Sequence, residues 1–209
     1  PLDQKRIVAL GIPPARVRVT GNMKFDFPDE PHVFERAEFG LTPEDILWIA
    51  GSTHPGEERS VLSVYHVLKR DFPALRLLLA PRHVERARDV ADEVTEEGFV
   101  PVFFSQRTKR ESSGEVVYVL DTIGQLRSFY RLADCVFMGK SLVGRGGQNV
   151  VEPAFFGKPV LTGPNMENFK NIMEMFLAAG AIVQVDSAED LAQELRRLLS
   201  EPRRRQELG

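Results

Sequence analysis

The chain has 209 residues, room for one full domain plus a remainder, and can bury a substantial core. Its 43% hydrophobic and 27% charged content is that of a folded globular protein and excludes a disordered one. With 27 basic against 30 acidic residues the net charge is −3, which lacks the basic surplus a nucleic-acid partner calls for.

The chain opens on Pro1-Leu2-Asp3-Gln4, without a methionine and already inside a helical pattern, so a piece of a longer protein is expected. No signal peptide is expected from its opening residues, and no apolar run reaches the roughly 18 residues of a membrane span; a soluble piece is expected. Asp3–Leu10 reads as a helix ending at Gly11, and Ile12-Pro13-Pro14 then turns the chain into a short strand, Val17–Thr20. Phe27-Pro28-Asp29-Glu30-Pro31 reads as a linker.

Beyond it, apolar runs alternate with amphipathic segments. Ile46–Ala50, Leu75–Ala80, Val100–Phe104, Val116–Leu120, Cys135–Met138, Pro159–Leu161 and Ile182–Val185 are expected as strands. Their near-continuous apolar character marks strands covered on both faces. The segments Glu57–Lys69, Val84–Glu97, Gln125–Ala133, Asn149–Phe156, Asn168–Ala179 and Ala188–Leu199 are expected as helices, and Arg107–Gly114 as an exposed loop. Alternation of this kind predicts an α/β fold, a Rossmann-like doubly wound parallel sheet whose ligands sit at the carboxyl ends of the strands. The single cysteine, Cys135, excludes an internal disulfide and reads as a small buried hydrophobe.

Four loops therefore carry the candidate chemistry. After the first strand, Ser52 and Thr53 can hydrogen-bond a phosphate or a sugar; the alternative is a helix entry, with a hydroxyl cap and glutamate in the first turn. After the second, Arg82 can pair with phosphate in a fork geometry, and His83 either donates to that phosphate or orients the loop. Asp121-Thr122-Ile123-Gly124-Gln125 follows the fourth strand; Asp121 and Thr122 suit helix capping, whereas Gly124 would let the backbone approach a base or ribose. The most informative stretch is Gly139–Pro153, with four glycines in its first nine residues. Its amides are expected to be uncovered and to join a helix start near Asn149 in receiving a phosphate, with Ser141 a further candidate and Lys140 and Arg145 adding positive charge. Asn149 and Glu152 stand at capping-box spacing, and Glu152 is suited to accept two ribose hydroxyls. Gly163-Pro164-Asn165 is expected to shape the rim of the cleft.

These loops resemble those of 3-deoxy-D-manno-octulosonic acid (Kdo) transferases. The matching residues are Thr20–Asp26, Ala50–Glu58, Ala80–His83, Asp121–Leu126, Gly139–Pro153 and Gly163–Phe169, in order along nearly the whole chain. The resemblance implies the carboxyl-terminal domain of a glycosyltransferase of GT-B architecture. Residues 1–27 would then be the end of an amino-terminal domain with the start of a linker, and residues 28–209 the domain that binds CMP-Kdo. It further implies contacts to CMP from Pro81, Arg82, Ile123, Gly124, Gln125, Asn149, Val150, Val151 and Glu152, without metal or cofactor. The catalytic base, the lipid A precursor acceptor and the membrane contact would belong to the missing amino-terminal half, with the parent enzyme at the cytoplasmic face of the bacterial inner membrane. Three positions depart from the family pattern: Gln125 where Glu is frequent, Lys140 where Gly is common, and Gln148 where His is common. Two other readings stay open: a GT-B transferase or epimerase using a UDP-sugar, and a non-catalytic α/β module that binds a protein.

Overall fold

The computed structural model describes residues 2–20, 25, 33–106 and 115–209. The expected linker at Phe27–Pro31, the loop Arg107–Gly114 and most of the Thr20–Asp26 motif lie outside the described residues. The chain divides into two compact units, Pro1–Glu30 and Pro31–Gly209.

In the first unit, helix α1 (Leu2–Ala9) ends where Gly11 turns the backbone at φ +94°. A 3-10 turn follows at Pro14–Arg16, and the Gln4 side-chain amide donates to the Val17 carbonyl at 3.3 Å. Val17–Thr20, expected as a strand, takes no regular structure. A β-branched run becomes a strand only by pairing, and among the described residues this one has no ladder partner.

In the second unit, β1 (Ile46–Thr53), β2 (Leu75–Pro81), β3 (Val100–Phe103), β4 (Val116–Val119), β5 (Cys135–Met138), β6 (Val160–Thr162) and β7 (Val183–Gln184) form one sheet in the order β3-β4-β2-β1-β5-β6-β7. Every pairing is parallel. The helices between them are α2 (Glu57–Asp71), α3 (Ala87–Glu96), α4 (Leu126–Leu132), α5 (Val151–Phe155) and α6 (Lys170–Ala178), and α7 (Ala188–Ser200) and α8 (Pro202–Leu208) follow β7. The chain builds β2, β3 and β4 on one side of β1, then crosses to lay β5 on the other. The strand order reverses between β1 and β5, and in open α/β sheets that crevice is where ligands bind.

Alternation along the strands explains why both faces are covered. Trp48 and Ala50 of β1, Leu75, Leu77 and Leu79 of β2 and Cys135 and Phe137 of β5 point into one core. There they meet Val61, Leu62, Tyr65 and Leu68 of α2 and Leu191, Leu195 and Leu198 of α7. The intervening Leu47, Ile49, Leu78 and Val136 are equally buried but belong to the opposite face. That side holds a cluster of four rings, Phe34, Phe39, Phe104 and Phe129, with centroids 5.0–5.8 Å apart. The Tyr118 hydroxyl donates to the Phe39 carbonyl at 2.6 Å and ties β4 to it. Cys135 is fully enclosed in β5, and burial pushes its thiol pKa far up.

Residues 35–39 form a capped 3-10 turn, in which Glu35 and Glu38 satisfy each other's backbone amides. The charged end of the chain is the helix α8, whose Arg205 guanidinium donates to the Leu198 and Leu199 carbonyls at 2.7 and 3.1 Å and so caps α7.

Candidate functional site

At the carboxyl edge the loops after β4, β2, β1, β5 and β6 stand side by side in that order, so the sheet brings the sequence candidates to one edge. Where β1 and β5 end, the two backbones stay close. Gly139 N–H donates to the Gly51 carbonyl at 2.8 Å, and a Cβ on Gly139 would stand 2.5 Å from the Ser52 carbonyl oxygen and from Thr53 Cα. Only glycine fits there. Ser52 (φ 55°) and Lys140 (φ 57°) are the non-glycine residues with positive φ among those described, and they lie on the two facing loops. Such a conformation costs an L-residue about 1–2 kcal/mol and is retained where surrounding contacts over-determine it.

At Lys140 those contacts come chiefly from Glu57, the first residue of α2, which is 0% exposed. One carboxylate oxygen accepts from His54 N–H at 3.0 Å and Lys140 N–H at 2.5 Å. The other accepts from Ser141 N–H at 2.9 Å and Leu142 N–H at 3.0 Å. The glycine loop is therefore not a row of uncovered amides, as its composition suggests: its inner turn is already filled. Further along, Gly146 N–H donates to the Glu167 carboxylate at 2.7 Å and Gly147 N–H to the Lys140 carbonyl at 2.9 Å. The amides of Glu167 and Gly146 hold the Glu167 carboxyl below its usual range.

Two hydroxyl candidates are corrected by burial. Thr53 is fully enclosed and donates to Glu58 at 2.9 Å, and Glu58 also pairs with Arg86 at 2.8 Å. Ser141 is likewise enclosed; its hydroxyl donates to the Met138 carbonyl at 2.5 Å and accepts from Gly163 N–H at 2.8 Å. Both side chains are structural ties without a face toward the cleft. Ser52 remains half-buried at the bulge where β1 shifts register against β2.

Pro81 closes β2, and Arg82 N–H continues the ladder by donating to the Thr53 carbonyl at 2.9 Å, which leaves the Arg82 side chain exposed at the edge. His83 is exposed, 3.6 Å from Glu85, and its ring meets that of His54 edge-on at 5.9 Å. His54 Nε2 lies 3.3 Å from the Gln148 amide nitrogen. Burial lowers the His54 pKa; Glu57 opposes this, while Lys140, His83 and Arg86 add to it. His54 thus bridges the β1, β2 and β5 loops, a role its place immediately after β1 could have suggested.

After β4, Asp121 does not cap α4. Its carboxylate accepts from Ser105 N–H at 2.9 Å and from the Ser105 hydroxyl at 2.5 Å. Thr122 donates to the Gln125 side chain at 2.9 Å, and α4 has no side-chain cap. Gly124 adopts φ +81° with open space around it, so the turn needs glycine for its backbone and not for room. Ile123 beside it is 83% exposed.

Helix α5 starts at Val151, later than the pattern implied, and with five residues it offers little macrodipole. Asn149 accepts from Val151 N–H at 3.2 Å and donates to Glu152 at 3.0 Å, so Glu152 is oriented from within the turn. Val150 and Val151 are buried, at 0% and 3% exposure, and offer no side chain to the edge. Asn165 N–H donates to the Ser141 carbonyl at 2.9 Å, which sets the Gly163-Pro164-Asn165 turn against the glycine loop. Among the described residues no group of three or more His, Cys, Asp or Glu is arranged to hold a metal, and no helix is long and apolar enough to cross a membrane.

An all-parallel, doubly wound sheet with a braced glycine loop at its switch point defines a Rossmann-like α/β domain. Residues 101–209 match the model of the family described as glycosyl transferases group 1. The chain is 35% identical over 214 residues to the 3-deoxy-D-manno-octulosonic acid transferase of Haemophilus influenzae, covering 100% of this chain and 49% of that protein. It is 30% identical over 185 residues to the transferase of the same description from Aquifex aeolicus, covering 88% and 48%. Its structure is similar to the C-terminal CMP-Kdo binding domain of WaaA from Acinetobacter baumannii, with a TM-score of 0.77, 26% identity, and coverage of 83% of this chain and 89% of that one. The chain belongs to the glycosyl transferases group 1. It spans about half the length of the curated relatives it matches, and the resemblance drawn from its loops is met by them.

Proposed function

We propose that this chain is the donor-binding half of a Kdo transferase and holds CMP-Kdo at the carboxyl edge of its sheet. The observation that carries this reading is the likeness, over most of both chains, to a solved domain described as binding CMP-Kdo. Arg82, with Lys140 and Arg145 of the glycine loop, supplies cationic side chains for the single phosphate. Glu152 has one oxygen engaged by Asn149 and turns the other to the ribose hydroxyls. The backbone of Val150 and Val151 adjoins it, the edge of β2 at Pro81 closes the other side, and the Ile123-Gly124-Gln125 turn offers an apolar surface and an accessible backbone to the base. Ser52 and His83 lie next to these groups.

The reaction of the parent enzyme is displacement at the Kdo anomeric carbon. The acceptor oxygen forms the new glycosidic bond, the bond to the CMP phosphate oxygen breaks, and CMP leaves as a monophosphate. Charge grows on that phosphate as it departs, so cations fixed beside it stabilise the transition state more than the bound donor. The acceptor's proton goes to a base outside this chain. The acceptor, a lipid A precursor, and the contact with the cytoplasmic face of the inner membrane are assigned to the amino-terminal part of the parent enzyme.

Isothermal titration with CMP and with UMP tests the reading. CMP is expected to bind and UMP to bind more weakly; equal binding, or none, would overturn it.

A further inference from the structure

The glycine loop meets its ligand edge with a shape fixed from behind, and the group that fixes it is an anion. Glu57 lies 83 to 85 residues away in sequence from the glycine-loop amides it receives, and its carboxylate is completely enclosed. Among the described residues its partners are all backbone amides, three of them consecutive, from Lys140 to Leu142. Consecutive amides converging on one point, with a left-handed residue among them, form a nest of the type that binds phosphate. Here the nest is occupied by the protein's own carboxylate.

We propose that Glu57 is a positioning residue: an internal anion that stands where a ligand anion would otherwise sit, and thereby holds the loop from Gly139 onward in its ligand-ready form before any nucleotide arrives. This rests on the donor-binding reading for its consequence but not for its geometry. Without the carboxylate the amides of Lys140, Ser141 and Leu142, the middle one buried and the others partly so, lose their acceptor together, and the left-handed Lys140 loses the contacts that hold it. The loop then has to reorganise, and every group carried on it, from Lys140 to Glu152, moves with it. The incoming phosphate is accordingly met by side-chain cations and the outer part of the loop, not by the inner amides.

A small carboxylate added from solution separates this role from a general contribution to stability. In Glu57→Ala, formate and acetate fit the vacated space and can refill the nest, whereas chloride at equal ionic strength cannot. Hydrogen exchange of the Lys140, Ser141 and Leu142 amides is expected to accelerate about tenfold or more in Glu57→Ala, with β1 and β5 still protected, and to slow again in formate. CMP affinity is expected to fall about tenfold or more and to recover in formate but not in chloride. Loop amides that stay protected, or exchange that formate leaves unchanged, would overturn the proposal. Should Glu57→Ala fail to fold, Glu57→Gln serves: its oxygen still accepts from one pair of amides while its NH2 faces the other pair, His54 and Lys140 or Ser141 and Leu142, so one pair is expected to lose protection, and retained protection of both pairs counts against the proposal. If the unaltered chain binds no CMP while the exchange results hold, the donor reading fails and the role of Glu57 stands.

Discussion

Glu152 and Lys140 sit on the same loop yet answer to different constraints. Glu152 is half-buried and oriented by Asn149, so replacing it by alanine removes acceptors from the ligand edge without opening the core. Glu152→Ala is expected to weaken CMP binding about a hundredfold or more in a titration, with stability changed by less than about 1 kcal/mol. Lys140 holds a backbone conformation that suits glycine. Lys140→Gly exchanges that strain for the greater chain entropy of glycine and is expected to stabilise by about 0.5–1 kcal/mol, read as a rise in Tm. His54 supplies a pH dependence. Burial keeps its folded pKa below the ordinary 6.5, so the unfolded chain takes up the proton first. Its contribution to stability is intact above 6.5 and is lost as pH falls through the depressed value. Between pH 7 and 5 the Tm of His54→Gln should therefore fall less steeply than that of the unaltered chain.

All seven strands were legible as short apolar runs, a pattern that survives without knowledge of the partners, although β3 and β7 at the sheet edges are only partly covered. Their ends were less so. β1 continues past Ala50 through Gly51, Ser52 and Thr53, where hydrophobicity stops but pairing with Ala80 and Pro81 does not. The site was legible as a set of loops and not as a set of bonds. Gly-Glu-Glu at residues 56–58 reads as an ordinary helix entry, and nothing local says that Glu57 reaches a loop more than eighty residues on. The same blindness made Thr53 and Ser141 look like ligand hydroxyls, because enclosure is a property of tertiary packing. Asp121 looked like a cap for the helix after it and instead grips the turn before it, at Ser105. On the opposite face, Phe129 of α4 sits within the four-ring cluster at 1% exposure. Phe129→Ala should cost about 3–5 kcal/mol, measurable by denaturant unfolding with an unchanged slope.

At the scale of the molecule, the chain answers to about half the length of the two curated transferases compared above, and the proposed division of labour follows from that span. A domain that fixes the donor can bind nucleotide on its own, but proton removal from an acceptor needs a group within hydrogen-bond reach of it. This chain, given CMP-Kdo and a lipid A precursor, is expected to transfer no sugar, as mass spectrometry of the acceptor would register. Transfer by the isolated chain would place the base within it and overturn the assignment to the other half.

The sealed position of Cys135 gives the molecule a practical property. Its sulfur lies in the middle strand region at 0% exposure with the thiolate strongly disfavoured, so maleimides and disulfide reagents should leave the native chain unlabelled and find one thiol only after denaturation. A cysteine introduced at the exposed Val143 of the glycine loop would then be the sole point of attachment for a fluorophore, and nucleotide arrival at the neighbouring edge could be followed by its emission without removing any native residue from the core.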